Sequence, residues 1–284
     1  MPKKSDSSRG TKKRSTGLEQ RNPTEKPFTP DVLDRTVIAI PLLEKLQAQP
    51  GRPDPFAARS SPMPKAFRFH ATGGPEVLRL EDVAVGDPGP GQVRMRNQAV
   101  AVNYRDILVR RGVHRVAALP SGIGLESAGT IERIGDGVGD LAVGDRVACV
   151  AGPDGAYATH RIVPAARVVR LPAAIAARTA AAMMIRGMTA RYLLHETFRV
   201  KAGDTILVHA AAGGVGLIMC QWAKHLGATV IGTVGSADKA AIARQHGCDH
   251  PIVLGGEDVV ARVRALTDGR GVPVVYGTRE NTRK

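Results

Sequence analysis

The stretch LVHAAAGGVGLIMCQW, residues 207–222, restricts the fold of this chain more than any other feature. An apolar run ends at a glycine cluster, and an apolar helical period begins directly after it. A buried strand, a glycine turn and a helix form the first half of a βαβ unit. The pattern therefore predicts that this part of the chain folds as a parallel α/β sheet.

Strand and helix patterns alternate from residue 204 to residue 276. The strands are predicted in DTILVHA, ATVIGTV, PIVL and VPVVY, and the helices in VGLIMCQWAKHLG, SADKAAIARQHG and EDVVARVRALTDG. Gly227 and Gly247 stand where the first two helices should end. The segment AAIAARTAAAMMIRGMTARYLLHETF lies upstream and is predicted to form two helical pieces broken near Gly187. The whole is a doubly wound Rossmann-type domain, assigned to residues 179–284.

Short apolar–polar alternations with glycine punctuation run from Met63 to about residue 170, which predicts a partly open β-barrel over residues 63–178. Residues 1–62 do not continue this alternation of apolar and polar residues. Residues 1–27 lack an apolar period and are expected to be disordered, residues 31–48 to form a short amphipathic helix, and the segment after them to be a Pro-rich linker. We hypothesise that Met63 is the native start of the protein.

Composition narrows the function classes. The net charge is +14, but the basic excess is dispersed, and only one Trp, four Tyr and five Phe are present, so no base-stacking surface is indicated. The KK and KKR clusters of the tail could bind nucleic acid, although a solvated tail is favoured. The three cysteines form no CxxC pair, and no run of apolar residues could span a membrane. A cytoplasmic location without membrane contact is expected.

The glycine turn itself fits the GxGxxG frame of dinucleotide sites, with Ala211 in place of the first glycine. The backbone of Gly213, Gly214, Val215 and Gly216 is predicted to bind a diphosphate at the helix N-terminus. Gly216 should also let the helix pack closely on the strand. The alternative is a tight turn that holds no ligand.

The end of the second strand, IGTVGSADK, bears on the choice of cofactor. An NAD site needs a carboxylate there, and no acid occurs before Asp238. Ser236 and Lys239 could instead bind a 2′-phosphate, which favours NADP(H) over NAD. The alternatives are that Ser236 only caps a helix and that Lys239 is a solvated charge.

Residues 63–276 resemble the zinc-independent quinone oxidoreductases, the zeta-crystallin-like branch of the medium-chain dehydrogenase/reductase superfamily. The matching segments are FHATGGPEVL, VNYRDILVRRG, LPSGIGLESAGTIERIGDGV, VGDRVA, IRGMTARYLL and VHAAAGGVGLIMCQWAKHLGATVIGTVGSADKA. The resemblance implies a GroES-like barrel, a Rossmann domain and NADPH in the cleft between them. The implied reaction is hydride transfer to a quinone or an activated alkene (an enone, for example).

The resemblance also implies roles for single residues. It makes Asn103 the polar residue nearest the nicotinamide, with Asp106 orienting the neighbouring loop, and it makes Thr189 a cofactor-lining residue. The alternatives are a turn or strand-end hydrogen bond for Asn103, a helix cap for Asp106, and a hydroxyl bonded to its own helix for Thr189. No zinc is expected, because VNYRDI has no Cys and Leu125 stands where the zinc dehydrogenases carry His.

Some positions depart from the family pattern. Leu108 and His114 replace residues that are often Tyr, and Leu254 replaces a Tyr that covers the adenine. The segment VVYGTRENTRK ends the chain where the family continues with two more strands. We therefore expect a truncated Rossmann domain with an open VPVVY edge, no family homodimer contact and little turnover. A nucleotide-binding fragment without catalysis and a basic-tail nucleic-acid-associated protein are the alternative functions.

Overall fold

The structure, a computed structural model, describes residues 63–150 and 154–277. The expected disordered extension, the helix over 31–48, the linker and the polar tail lie outside the described residues.

The first half of the described chain is an antiparallel β unit, as the alternating pattern predicts. A small sheet has the strand order β2–β1–β4, and a five-stranded sheet has the order β7–β3–β5–β6–β8. The strands are β1 Lys65–Phe69, β2 Leu78–Asp82, β3 Gln92–Val100, β4 Ser121–Gly122, β5 Glu126–Ile134, β6 Arg146–Val150, β7 His160–Pro164 and β8 Val168–Arg170.

The core of this unit follows the period of two. Val93 and Met95 on β3 are fully buried and pack with Ile131, Val147 and Val163 from three neighbouring strands. Their polar neighbours on β3 point away from that cluster, because successive side chains of a strand face opposite sides.

One helix inside the β unit was not among the predicted elements. It is α1 Tyr104–Arg110, which directly follows β3, with Asn103 at its N-cap. Seven residues are too few to show a helical period, so the pattern gave no signal for it.

The second half has the predicted alternation of strands and helices. All four strands are parallel in the order β11–β10–β9–β12. The chain therefore runs outward from β9 through β10 to β11 and then crosses back to place β12 on the other side of β9. The elements are β9 Thr205–Val208, α3 Gly214–His225, β10 Thr229–Val234, α4 Ala237–Gln245, β11 His250–Val253, α5 Val259–Leu266 and β12 Val275–Tyr276. Gly227 and Gly247 follow α3 and α4 with φ of +82° and +91°, the left-handed conformation that ends a helix.

The predicted break near Gly187 is wrong. A single helix, α2 Ala177–Tyr192, runs through that residue and continues into a π-turn at Leu193–Thr197. A glycine inside a helix costs about 1 kcal/mol relative to alanine, and the packing of both ends of α2 outweighs that cost.

Helix α2 connects the two halves of the molecule. Near its start, Ala180 and Ala181 pack against Ala99, Ala128 and Ala148 of the barrel sheet. Near its end, Ala190 belongs to the core cluster beneath the parallel sheet. The small residues on its first turns let the helix lie close to the barrel, and this fixes how the two halves meet.

Candidate active site

The glycine turn follows β9 and ends in the first turn of α3. Gly213 is the N-cap of α3, and its N–H donates to the Ala210 carbonyl at 2.7 Å. A Cβ built on Gly216 would lie 2.3 Å from that same carbonyl oxygen and 2.8 Å from the Ala211 Cα. Only glycine fits at this position, so α3 approaches the strand as closely as the sequence predicts.

Ala211 replaces the first glycine of the motif, and the neighbouring strand makes room for it. A Cβ built on Gly232 of β10 would lie 2.5 Å from the Ala211 Cβ. The fully buried Ala211 methyl therefore occupies the space that a side chain at residue 232 would need. The departure from the motif is compatible with an intact turn.

The residues proposed for a 2′-phosphate lie after β10. The Ser236 side chain is the N-cap of α4 and accepts the Lys239 N–H at 3.4 Å. The Lys239 side chain is exposed and, within the described residues, forms no ion pair. The capping interpretation of Ser236 is thus present in the structure, and Lys239 is an exposed residue in the first turn of the helix that Ser236 caps.

Asn103 lies where β3 passes into α1 and is only 8% exposed. Its side-chain amide donates to the Glu126 carboxylate at 3.0 Å, and its backbone N–H donates to Asp106 at 2.8 Å. Asp106 therefore has the role of a capping residue that fixes the Asn103 backbone. The two residues of the predicted pair lie in contact.

Glu126 is a fully buried carboxylate at the start of β5. Besides the Asn103 amide, it accepts the Ile185 backbone N–H of α2 at 2.9 Å. Burial raises the pKa of Glu126, while the hydrogen bonds from Asn103 and Ile185 act in the opposite direction. This carboxylate fixes the Asn103 amide to α2.

Tyr157 supports Asp106 from the other side. The Tyr157 hydroxyl donates to the Asp106 carboxylate at 3.0 Å. Burial raises the pKa of Asp106 despite the bonds from Asn103 and Tyr157, and burial together with Asp106 raises the pKa of the Tyr157 hydroxyl. One Asp106 oxygen accepts both the Asn103 N–H and the Tyr157 hydroxyl, while its other oxygen has no hydrogen-bond partner among the described residues. This arrangement suits a role in orienting the Asn103 loop.

Arg186 of α2 connects this polar cluster with the glycine turn. Its guanidinium donates to the Ala182 carbonyl at 2.9 Å and to the Val102 carbonyl, next to Asn103, at 2.6 Å. A Cβ built on Gly214 would lie 2.5 Å from the Arg186 Nε. The Asn103 loop and the start of α3 thus meet at one side chain.

Thr189 lies half-buried one turn after Arg186 on the same face of α2. The structure therefore brings Asn103, Asp106, the glycine turn and α2 together in one region. Ser236 and Lys239 lie at the next strand of the sheet, where the adenine end of a dinucleotide is expected.

The sequence reasoning assigned no role to Glu126, Tyr157 or Arg186. Glu126 and Arg186 are charged residues within apolar or small-residue surroundings, GLESAG and MMIRGMTA, which is a signal for a buried charge that needs a partner. Tyr157 gave no signal of this kind.

The positions that depart from the family pattern are open to solvent to different degrees. His114 and Leu254 are exposed, whereas Leu108 is partly buried on α1. Among the described residues, no group of three or more His, Cys, Asp and Glu side chains is arranged to hold a metal ion. The free thiols Cys149, Cys220 and Cys248 are all buried.

An antiparallel barrel joined through one helix to a doubly wound sheet, with a polar cluster beside the glycine turn, defines a medium-chain dehydrogenase/reductase. The family described as "Alcohol dehydrogenase GroES-like domain" matches residues 89–173, and the family described as "Zinc-binding dehydrogenase" matches residues 214–280.

Individual relatives narrow this class. A quinone oxidoreductase of Pseudomonas aeruginosa is 49% identical over 214 residues, which cover 75% of this chain and 66% of the relative. A 2-haloacrylate reductase of a Burkholderia species is 47% identical with the same coverage. The crystal structure of Escherichia coli quinone oxidoreductase complexed with NADPH is similar with a TM-score of 0.75 and 41% identity, covering 77% of this chain and 68% of that one.

The chain belongs to the quinone oxidoreductase family of the medium-chain dehydrogenases/reductases, a family of oxidoreductases. It spans 66% of the length of the first two relatives. In the described part of the chain, no helix is both long and apolar enough to cross a membrane.

Proposed function

We propose that this protein is an NADPH-dependent oxidoreductase that transfers hydride to a quinone or to an electron-poor alkene. The observation that carries the proposal is the position of Arg186, which contacts the backbone before Asn103 and the first residue of α3 at once. The glycine turn and the candidate catalytic residue therefore lie beside the same guanidinium. The two relatives named above, a quinone reductase and a haloacrylate reductase, support these two substrate classes.

The residues of the turn fit a dinucleotide. A Cβ on Gly214 would clash with Arg186, and a Cβ on Gly216 would clash with the backbone before α3, because each lies within 2.5 Å of a neighbouring atom. We assign the diphosphate to the backbone of residues 213–216 and the 2′-phosphate to Ser236 and Lys239. NADPH supplies the hydride when it is bound, and the protein supplies binding and orientation.

Asn103 is assigned as the catalytic residue. Its amide is fixed by Glu126, so it could present a polar group to substrate without reorganisation. Asp106 positions Asn103 through the backbone, and Thr189 lines the cofactor. We further propose that the reaction needs no zinc, that the barrel and the Rossmann domain divide near residue 178, and that the enzyme acts in the cytoplasm.

The first test is NADPH oxidation by this chain with 1,4-benzoquinone and with 2-chloroacrylate, compared with NADH. We expect turnover by this chain to be slow and to prefer NADPH, and we expect Asn103→Ala to lower kcat further while leaving NADPH affinity nearly unchanged. A chimera that adds the remaining third of the Pseudomonas aeruginosa relative reports what that segment contributes. Turnover in Asn103→Ala equal to that of the unmodified chain would refute the assignment of Asn103.

Cofactor choice has its own test. Lys239→Glu should reverse or abolish the preference for NADPH over NADH, because a carboxylate repels the 2′-phosphate and accepts a ribose hydroxyl. Lys224→Glu, on α3 and paired with Asp249, serves as the charge-matched control. An unchanged preference in Lys239→Glu would exclude Lys239 from the cofactor site. Nucleotide binding without any turnover would favour a non-catalytic nucleotide-binding protein.

A further inference from the structure

Arg186 occupies an electrostatically unusual position. It is only 8% exposed, and its Nε faces Gly214, the first residue of α3. The N-terminus of a helix carries a partial positive charge, so a buried cation against it is unfavourable unless negative charge is also present. The protein keeps a charged side chain at a place that is suited to an anion.

The anionic groups of the chain compensate for only part of this cost. Glu126 and Asp106 favour the charged form of Arg186, yet desolvation by burial outweighs them and lowers the pKa of the guanidinium. Glu126 is engaged on both oxygens, by Asn103 and Ile185, whereas Asp106 accepts its bonds from Asn103 and Tyr157 on one oxygen and has no hydrogen-bond partner for the other among the described residues. A further anion at the turn would complete the compensation.

The guanidinium is also held in a fixed orientation. Of its five N–H groups, one donates to the Ala182 carbonyl and one to the Val102 carbonyl. These two bonds anchor one side of the planar group, while its Nε side lies along the first residue of α3. A fixed arginine beside backbone N–H groups that have no partner within their helix has the geometry in which phosphate oxygens are recognised.

We propose that Arg186 binds the diphosphate of the dinucleotide and so fixes the Asn103 loop and the glycine turn on one ligand. This inference rests on the proposed function and adds a cofactor-binding residue from α2, outside the glycine motif. A purely structural role, in which Arg186 only ties Val102 to α2, is the competing explanation. The two explanations differ in which ligands should bind more weakly when Arg186 is replaced.

The test compares ligands with and without a diphosphate on the complete 284-residue chain. We expect Arg186→Met to weaken NADPH binding by about ten- to hundredfold, the range for losing a charge-assisted hydrogen bond, and to leave 2′-AMP binding unchanged. Arg191→Met, on the same helix but exposed and paired with Glu196, should affect neither ligand. Lys239→Met should weaken both, since both ligands carry a 2′-phosphate.

A second variant keeps the test open if Arg186→Met does not fold. Arg186→Lys retains the charge without the planar fork, and it should lose about three- to tenfold in NADPH affinity and nothing in 2′-AMP affinity. Binding of NADPH by Arg186→Met or Arg186→Lys as tight as that of the unmodified chain would overturn this inference alone. Equal losses for NADPH and 2′-AMP would also overturn it in favour of the structural role. Failure of the unmodified chain to bind NADPH would overturn the proposed function as well.

Discussion

The substitution Gly216→Ala tests the close contact on which the glycine turn depends. The added methyl would lie 2.3 Å from the Ala210 carbonyl oxygen and 2.8 Å from the Ala211 Cα, and both neighbours are backbone atoms that cannot rotate away. Overpacking of this kind costs about 1–3 kcal/mol, and the rigid neighbours place this site at the upper end. Alanine regains up to about 1 kcal/mol of helix propensity. The net expectation is a loss of about 1–2 kcal/mol.

Gly187→Ala is the matched control, because Gly187 is also inside a helix. Among the described residues, and apart from the adjacent backbone of the same helix, the one atom within 4 Å of the new methyl is the Met183 Cε at 3.6 Å, an ordinary contact at the end of a flexible side chain. The propensity gain is then unopposed, and the variant should be more stable by up to about 1 kcal/mol. The two alanine variants should thus differ by about 2–3 kcal/mol.

The assay is urea unfolding followed by circular dichroism at one protein concentration. With a slope of about 2 kcal/mol per molar urea, the midpoint of Gly216→Ala should fall by roughly 0.5–1 M, and that of Gly187→Ala should rise by up to roughly 0.5 M. Gly216→Ala should also lose NADPH affinity, because the α3 N-terminus must shift away from β9. Equal midpoints for the two variants would refute the packing argument.

Three further predictions concern charge, capping and backbone strain. Burial raises the folded-state pKa of Glu126 above its ordinary 4.5, so its stabilising contribution is present below that pH and is lost as the pH rises through the folded pKa. The stability of the unmodified chain relative to Glu126→Gln, measured by urea unfolding, should therefore fall from about pH 4.5 upward, and a pH-independent difference would contradict this. Ser236→Ala removes one capping bond of 3.4 Å and should lower the unfolding free energy by about 0.5 kcal/mol, whereas Asp258→Ala removes bonds to two N–H groups at 2.8 and 3.0 Å and should lower it by about 1–2 kcal/mol. Thermal unfolding measures both losses, and the reverse ranking would be incompatible with these caps. Ala210 has φ of +52°, so Ala210→Gly should raise the unfolding free energy by about 0.5–1 kcal/mol, and a loss of stability would show that the alanine is not strained there.

The turn and the helix cap that we assign to the cofactor could be predicted as local structure because their signals are local. The turn between β9 and α3, the cap at Ser236 and the charge at Lys239 each depend on a few consecutive residues, and the structure places them where the pattern does. The prediction of a helix break at Gly187 was wrong because helix continuity there is not decided locally. A glycine lowers helix propensity locally, but the packing of α2 on both halves of the molecule decides whether the helix continues.

The hydrogen-bond partners around the proposed catalytic residue could not be predicted from the sequence. Asn103 and Asp106 are adjacent in a motif, yet the partners that fix them come from elsewhere: Glu126 is 23 residues from Asn103, and Tyr157 is 51 residues from Asp106. No periodicity or spacing connects such residues. Their pairing follows from the order of strands in the barrel sheet and from the position of α2.

Pattern alone predicts the alternation of strands and helices after residue 204, the parallel sheet and the glycine turn, because a period of 2 or 3.6 and the conformational freedom of glycine act within a few residues. The junction at Arg186 depends on packing instead: this residue lies 84 residues from Val102, yet it joins the Asn103 loop to the start of α3. A buried charge takes its partners from whatever the packing brings near it. Here the small residues of α2 bring the barrel and the parallel sheet to the same guanidinium.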